Sequence, residues 1–324
     1  YLRKSTDNQY NNDVRVGVLL NLMYQPKNSR NHYEFKNICN KLGKNRYASR
    51  YGFDAQNNNE KTYEYYYSSR STYNGQFTGK HTLDNGKLDW SAGYSYANRL
   101  LPDRRRYILN DIDEPGTITL TSANDISREF TRLDEHVGSA NVNYQRDLQF
   151  GSFTPTLKAG AYGEYRTRTY NTRQFFYNWG DNMPSGFRKF DLPTQLMVNS
   201  NYGENKLFMY EQVRKSNDYS GNNWLGAGYI SANLPINARI DVYAGIRYEY
   251  TKMELVKNTR DDVESHQSMY YKYNDLFPSV NATYKLTEKQ QLRLAYGKSV
   301  NRPEFREVST SVYYDFDLAS DVEG

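Results

Sequence analysis

The chain has one cysteine, Cys39, in 324 residues. A lone thiol excludes an internal disulfide framework and a cysteine-built zinc site. Proline is scarce, with nine copies spread along the chain, which excludes a proline-rich disordered tract. Only 37% of residues are apolar and the mean hydropathy is −0.94, low for a globular core of this length. No apolar run approaches the roughly 18 residues of a transmembrane helix. No GxxxxGK[ST] phosphate loop occurs. The net charge of +5 arises from 42 basic and 37 acidic residues, interleaved, so no nucleic-acid footprint stands out and no nucleic-acid partner is expected. The opening YLRKSTDNQY carries neither an initiator Met nor a signal peptide, as expected of a processed chain or a piece of a longer one.

What is abundant is tyrosine, 33 copies. Its apolar ring and polar tip suit strands and interfaces. Segment 238–250, ARIDVYAGIRYEY, shows the dominant pattern. Ala238, Ile240, Val242, Ala244, Ile246, Tyr248 and Tyr250 alternate with Arg239, Asp241, Tyr243, Gly245, Arg247 and Glu249. Period two means a strand with two unlike faces. The same alternation runs through Val14–Leu22, Trp90–Tyr96, Gly138–Tyr144, Leu157–Ala161, Val280–Leu286 and Leu292–Tyr296.

About ten strands are expected, near 14–24, 31–40, 61–83, 87–98, 136–148, 153–175, 223–234, 238–255, 271–286 and 290–300. The gaps between them alternate. QPKNSR, DNG, QFGS, PIN and TEK are short, whereas 41–60, 99–135, 176–222 and 256–270 are long. In an up-and-down antiparallel sheet this sorting puts the tight turns at one rim and the long loops at the other, as in outer-membrane barrels. The expected fold is therefore all-β, an up-and-down antiparallel transmembrane β-barrel, with 1–324 forming part of one barrel domain. The apolar face would meet outer-membrane lipid. Arg239, Asp241, Arg247, Glu249 and Arg293 would face a wet lumen. Tyr144, Phe153, Tyr248, Tyr250, Phe277 and Tyr284 would form interfacial girdles.

No catalytic constellation emerges, so no enzyme, cofactor or metal site is expected. His32, His81, His136 and His266 lie far apart and none has ligand spacing. Asp134–His136 (DEH) juxtaposes a carboxylate and an imidazole at a loop-to-strand junction, where solvated charges are the simpler reading. Arg104, Arg105 and Arg106 form a basic cluster in an expected external loop, suited to an anionic ligand. In the aromatic-rich segment 166–182, Tyr177 and Trp179 are candidates for stacking a ligand.

Segment 276–309, LFPSVNATYKLTEKQQLRLAYGKSVNRPEFREVS, resembles the barrel of TonB-dependent outer-membrane receptors, most closely at Asn301, Arg302, Pro303, Glu304 and Phe305. FTGKHTLDNGKLDWSAGYSYANRLLPDRRR (77–106) and VLLNLMYQPKNSRNHYEFKNICNKLGKNR (18–46) are similar to earlier hairpins of such barrels. The resemblance implies a barrel of about 22 strands, of which this chain supplies the middle, with the plug domain and C-terminal strands outside it. It implies plug-facing roles for the lumen charges and energy drawn through the TonB protein. It further implies uptake of a scarce nutrient (siderophore, vitamin, glycan or peptide) and a surface lipoprotein as a further partner, in the outer membrane of a Gram-negative bacterium. Two alternatives stay open: a complete ten-stranded outer-membrane enzyme of protease type, and a passive channel or adhesin.

Overall fold

The computed structural model describes residues 4–53, 59–111, 118–119, 126–179, 189–190, 193–318 and 320–323. Ten long strands follow one another through one sheet: β1 (Lys4–Tyr24), β2 (Asn31–Phe53), β3 (Asn59–Leu83), β4 (Gly86–Asp111), β6 (Ile126–Asp147), β7 (Thr156–Trp179), β10 (Tyr219–Pro235), β11 (Ile240–Asn258), β12 (His266–Thr287) and β13 (Gln290–Gly297). Every neighbouring pair on this path is antiparallel. Short strands β5 (Ile118–Thr119), β8 (Lys189–Phe190) and β9 (Leu207–Gln212) lie off the path, and helix α1 (Pro193–Leu196) falls between β8 and β9. After β13 come helix α2 (Phe305–Val308) and a hairpin of β14 (Val312–Asp315) and β15 (Ser320–Glu323). Among the described residues, β1 and β13 each pair on one side only.

The expected up-and-down sheet is therefore present, but its strands run further than the hydropathy alternation did. β4 reaches Asp111 and β2 reaches Phe53. Most of the expected loop 41–60 is strand, since β2 runs to Phe53 and β3 starts at Asn59, and the expected loop 256–270 shrinks to 259–265. The 26 residues of β4, at about 3.3 Å each and tilted about 45°, span about 60 Å along the membrane normal, twice the thickness of a bilayer core. Roughly half of that wall stands clear of lipid. There the outer face is no longer uniformly apolar, and the two-sided signal fades.

Strand β11 shows where the change falls. Its eleven residues Ile240–Tyr250 match the roughly 9–11 that cross lipid. Over that span the outer positions are apolar, with Ile246 and Tyr248 44% and 48% exposed. Beyond Thr251 the polarity inverts. Lys252 and Glu254 take the outer positions, while Met253 and Leu255 are buried on the inner face. Trp224, opposite Lys252 in register, marks the boundary and packs on Tyr165 with ring centroids 4.3 Å apart.

The surface area agrees with a single layer. A compact 38.0 kDa protein exposes about 14,000 Å², whereas this chain exposes 20032 Å². Much of the excess is apolar: Val16, Ile230, Leu276, Leu292 and Leu294 are all exposed. Among the described residues no second layer covers them, as expected of a surface that meets acyl chains. Tight turns close the lower rim. In QPKNSR, Asn28 takes φ 57°, and Gly151 takes φ 64° in the β6–β7 turn.

Candidate functional site: the inner face and the strap across it

Residues 298–318 and 320–323 leave β13 and cross the inner face of the sheet as a strap, passing in turn over β12, β11, β10 and β7 and ending against β2–β4. Arg302 begins it. Its guanidinium pairs with Glu249 of β11, donates to Asp275 of β12 at 2.9 Å and to Thr251 Oγ1 at 2.8 Å. Next, Glu304 meets Arg166 and Arg168 of β7 at 3.3 and 3.6 Å. Phe305 is buried with Tyr219, Met253 and Leu255. This explains why the upper inner face turns apolar: it receives the strap. Ser311 Oγ donates to the Asn217 carbonyl at 2.5 Å. The β14–β15 hairpin then lies over arginines. Arg104 donates to the Tyr314 carbonyl at 2.8 Å, and Arg50 to the Phe316 carbonyl at 2.9 Å. Phe316 is buried beneath the Arg50 guanidinium, 4.5 Å from its ring centroid.

Beneath the strap, inner positions form an ionic ladder from strand to strand. Asp7 of β1 takes Arg50 of β2 in a two-pronged pair at 2.7 and 2.6 Å. Glu64, with no exposed surface, is gripped by Arg46 and Arg104, and Arg104 reaches on to Glu129 at 3.3 Å. Glu135 holds Arg168. Such pairs are geometrically demanding and strong only when every charge is met. Arg106 and Tyr66 are among the groups here that depart from their ordinary pKa values. Burial lowers that of Arg106, which stacks 3.7 Å over the Tyr314 ring. Burial works to raise the Tyr66 hydroxyl, but the Ser68 hydrogen bond and the Arg99 and Arg104 guanidiniums outweigh it and hold it low.

Several cavities lie between strap and wall. One of 400 Å³ sits beneath Arg302 and Pro303, against Arg247, Glu249 and Phe277. One of 460 Å³ adjoins Tyr314–Asp317, and one of 280 Å³ lies beneath Tyr313.

The sequence-derived candidates fall as follows. Asn301, Arg302, Pro303, Glu304 and Phe305 form the first part of the strap. Asp241, Arg247 and Glu249 lie on the inner face, where Arg247 pairs with Glu249 at 3.0 Å. Arg293 shares that face on β13, opposite Thr283. Arg239 differs: it stands in the β10–β11 turn, its N–H held by Asn237. Phe277 also differs from its expected girdle place. It is opposite Arg247 in register and lines the inner cavity.

Arg104, Arg105 and Arg106 are on strand β4, not in a loop. A bulge between Leu101 and Arg104 accommodates Pro102, which is tolerated in strands chiefly at such places. The extra residue turns Arg104 and Arg106 inward and leaves Arg105 on the outer face, 2.7 Å from Asp103. Tyr177 is buried on the outer side with Tyr63, Tyr107, Ile126 and Leu207. Trp179 ends β7, and its side chain lies outside the described residues. The DEH triplet splits across the sheet. Asp134 is held by Arg132 and Tyr96 and His136 by Tyr94 on the outer face, while Glu135 faces inward. The other histidines are apart: His32 meets Glu34, and His81 meets Asn31. Among the described residues no group of three His, Cys, Asp or Glu side chains is placed to hold a metal ion, and no helix is long and apolar enough to cross a membrane. The ladder residues Glu64, Arg46, Arg50 and Arg168 and the hairpin's Phe316 had no distinguishing signal, because their strands are polar on both faces.

An apolar outer band, a charged inner face and tight turns at one rim define the wall of a transmembrane β-barrel. The chain belongs to the outer membrane protein beta-barrel family, whose model matches residues 81–317, and its place is the bacterial outer membrane. No curated protein matches. Among solved structures, the siderophore receptor PiuA from Acinetobacter baumannii is similar at 11% identity and TM-score 0.48, over 91% of this chain and 48% of that one. The ferric-catecholate import receptor Fiu from E. coli K12 gives 11% and 0.49, over 90% and 54%. The ferric yersiniabactin uptake receptor FyuA from Yersinia pestis gives 11% and 0.42, over 89% and 46%. The chain spans about half the length of these proteins.

Proposed function

We propose that this chain forms part of the barrel wall and outer loops of a TonB-dependent receptor that imports a scarce nutrient. The supporting observation is the strap. Arg302, Glu304 and Phe305, the residues that carry the family resemblance, fasten a segment across the inner face. A passive channel gains nothing from spending four ion pairs and a buried aromatic on covering its own lumen. A receptor does, because captured solute must wait for an energised step. In this reading Asp241, Arg247, Glu249 and Arg293 make polar contacts with a plug domain, the TonB protein supplies energy, and a surface lipoprotein serves as a lid. The nutrient is a siderophore, vitamin, glycan or peptide.

The test is uptake by intact cells carrying the full-length gene, with and without the TonB protein, across a panel of these four nutrient classes. Accumulation of one class that stops when TonB is removed supports the reading. Accumulation indifferent to TonB, or a steady open conductance in planar bilayers, defeats it.

A further inference from the structure

Arg70 of β3 and Arg99 of β4 are directly opposite each other in register, and both line the same inner cavities. Like charges in that position repel and weaken the sheet. Nearby arginines are relieved by carboxylates: Arg104 by Glu64, Arg168 by Glu135, Arg302 by Glu249. Among the described residues, Arg70 and Arg99 take part in no ion pair. Arg99 Nη2 donates only to the Tyr66 hydroxyl, at 3.3 Å, and its Nε is buried without a partner. Arg70 is exposed towards the cavities.

Those cavities are unbalanced in charge. The one of 460 Å³ is lined by six cationic side chains and three carboxylates. The one of 280 Å³ is lined by five arginines and a single carboxylate, Glu129. Both include Arg70, Arg99, Tyr66 and Tyr313. Two forked donors set side by side, with tyrosine rings to either hand, match an oxyanion on a compact organic body. The larger volume is that of a small-molecule site, about 300–1,000 Å³.

We propose that the Arg70–Arg99 pair anchors an anionic ligand bearing a carboxylate or phosphate group. This rests on the receptor reading above and names the substrate class it takes: organic oxyanions, not neutral sugars. Ligand charge removes the repulsion between the two guanidiniums, so the pair is an unpaired cost in the empty site and a gain in the filled one.

Full-length protein purified in detergent is titrated calorimetrically with succinate, inorganic phosphate and glucose, each to about 10 mM. Succinate or phosphate is expected to bind and glucose not, and which of the two binds more tightly separates carboxylate from phosphate ligands. Arg70→Ala with Arg99→Ala is expected to weaken anion binding about tenfold or more. Arg70→Lys with Arg99→Lys, which keeps charge and loses the fork, is expected to fall between. Arg239→Ala, in the turn at the other rim, is expected to match the parent. Circular dichroism confirms the strand content of each variant. Anion affinity unchanged in both double variants overturns the proposal. So does the absence of anion binding in the parent, which would mean that carboxylates elsewhere in the full-length protein already fill the pair. TonB-independent uptake alongside intact, Arg70/Arg99-dependent anion binding defeats the receptor reading and upholds the site.

Discussion

The Phe305 ring occupies the space that a side chain on Gly221 would need: an added Cβ would lie 2.5 Å from the ring carbon Cδ1. The glycine on β10 thus makes the seat for one of the strap's fully buried aromatics, Phe316 being another. Gly221→Ala is expected to unseat the ring at a cost of about 1–3 kcal/mol, and Phe305→Ala to cost about 3–5 kcal/mol. The readout is trypsin cleavage at Lys298 and Arg306, which should accelerate in both variants while the strand signal is retained. Unchanged cleavage in Phe305→Ala would show that the ring does not hold the strap.

Arg302 offers a separable test of the strap's ionic fastening. Its partners Glu249 and Asp275 are 13% and 24% exposed, so removing the guanidinium strands two largely desolvated carboxylates. Arg302→Met should cost about 3–5 kcal/mol. Adding Glu249→Gln and Asp275→Asn should recover most of that loss, because neutral partners no longer need a cation. The measurement is thermal unfolding of the four combinations in detergent. Additive losses would show that these groups do not act as one cluster.

The parts of the fold visible in the sequence are those where lipid forces a contrast between faces. Ile240–Tyr250 reads as a strand because every second residue must be apolar there. The same strand's Met253 and Leu255 break the pattern, since the inner face becomes the apolar one above Thr251, and no periodicity rule anticipates a swap. The Pro102 bulge was equally hidden. One extra residue reverses which arginines of RRR face inward, and it leaves no compositional trace. The motif 301–305 was legible as a family signature, but its work as a strap depends on partners 27 to 138 residues away. The Arg70–Arg99 pairing exists only through the β3–β4 register.

Asp103 gives the outer wall a pH dependence. It sits on the outer face above the lipid, bridging Arg128 and Arg105. Partial burial works to raise its pKa, but hydrogen bonds from Arg128 and Arg105 outweigh it and hold the carboxyl below the usual value. A lowered folded-state pKa means stability that is present above the unfolded value and lost as pH falls through the folded one. Amide exchange in β4 and β6 near Asp103 should therefore quicken below about pH 4, and Asp103→Asn should abolish that local step. A step that persists in Asp103→Asn would assign it to another carboxylate.

The assignment of faces is open to a direct comparison on two neighbouring strands. Ile246 is an outer position of β11, and Asn281 an inner position of β12; both are exposed in the chain alone. In water the two sites would accept a charge equally. In a membrane they cannot. An arginine at Ile246 must leave its charge among acyl chains, at about 2–4 kcal/mol near the midplane, whereas one at Asn281 enters a wet lumen already populated by Lys298 and Arg247. Folding of full-length Ile246→Arg and Asn281→Arg into lipid vesicles, followed by denaturant titration, should show the loss at Ile246 only. Equal losses at both positions would mean that the outer band does not face lipid, and the membrane reading of all ten strands would fall with it.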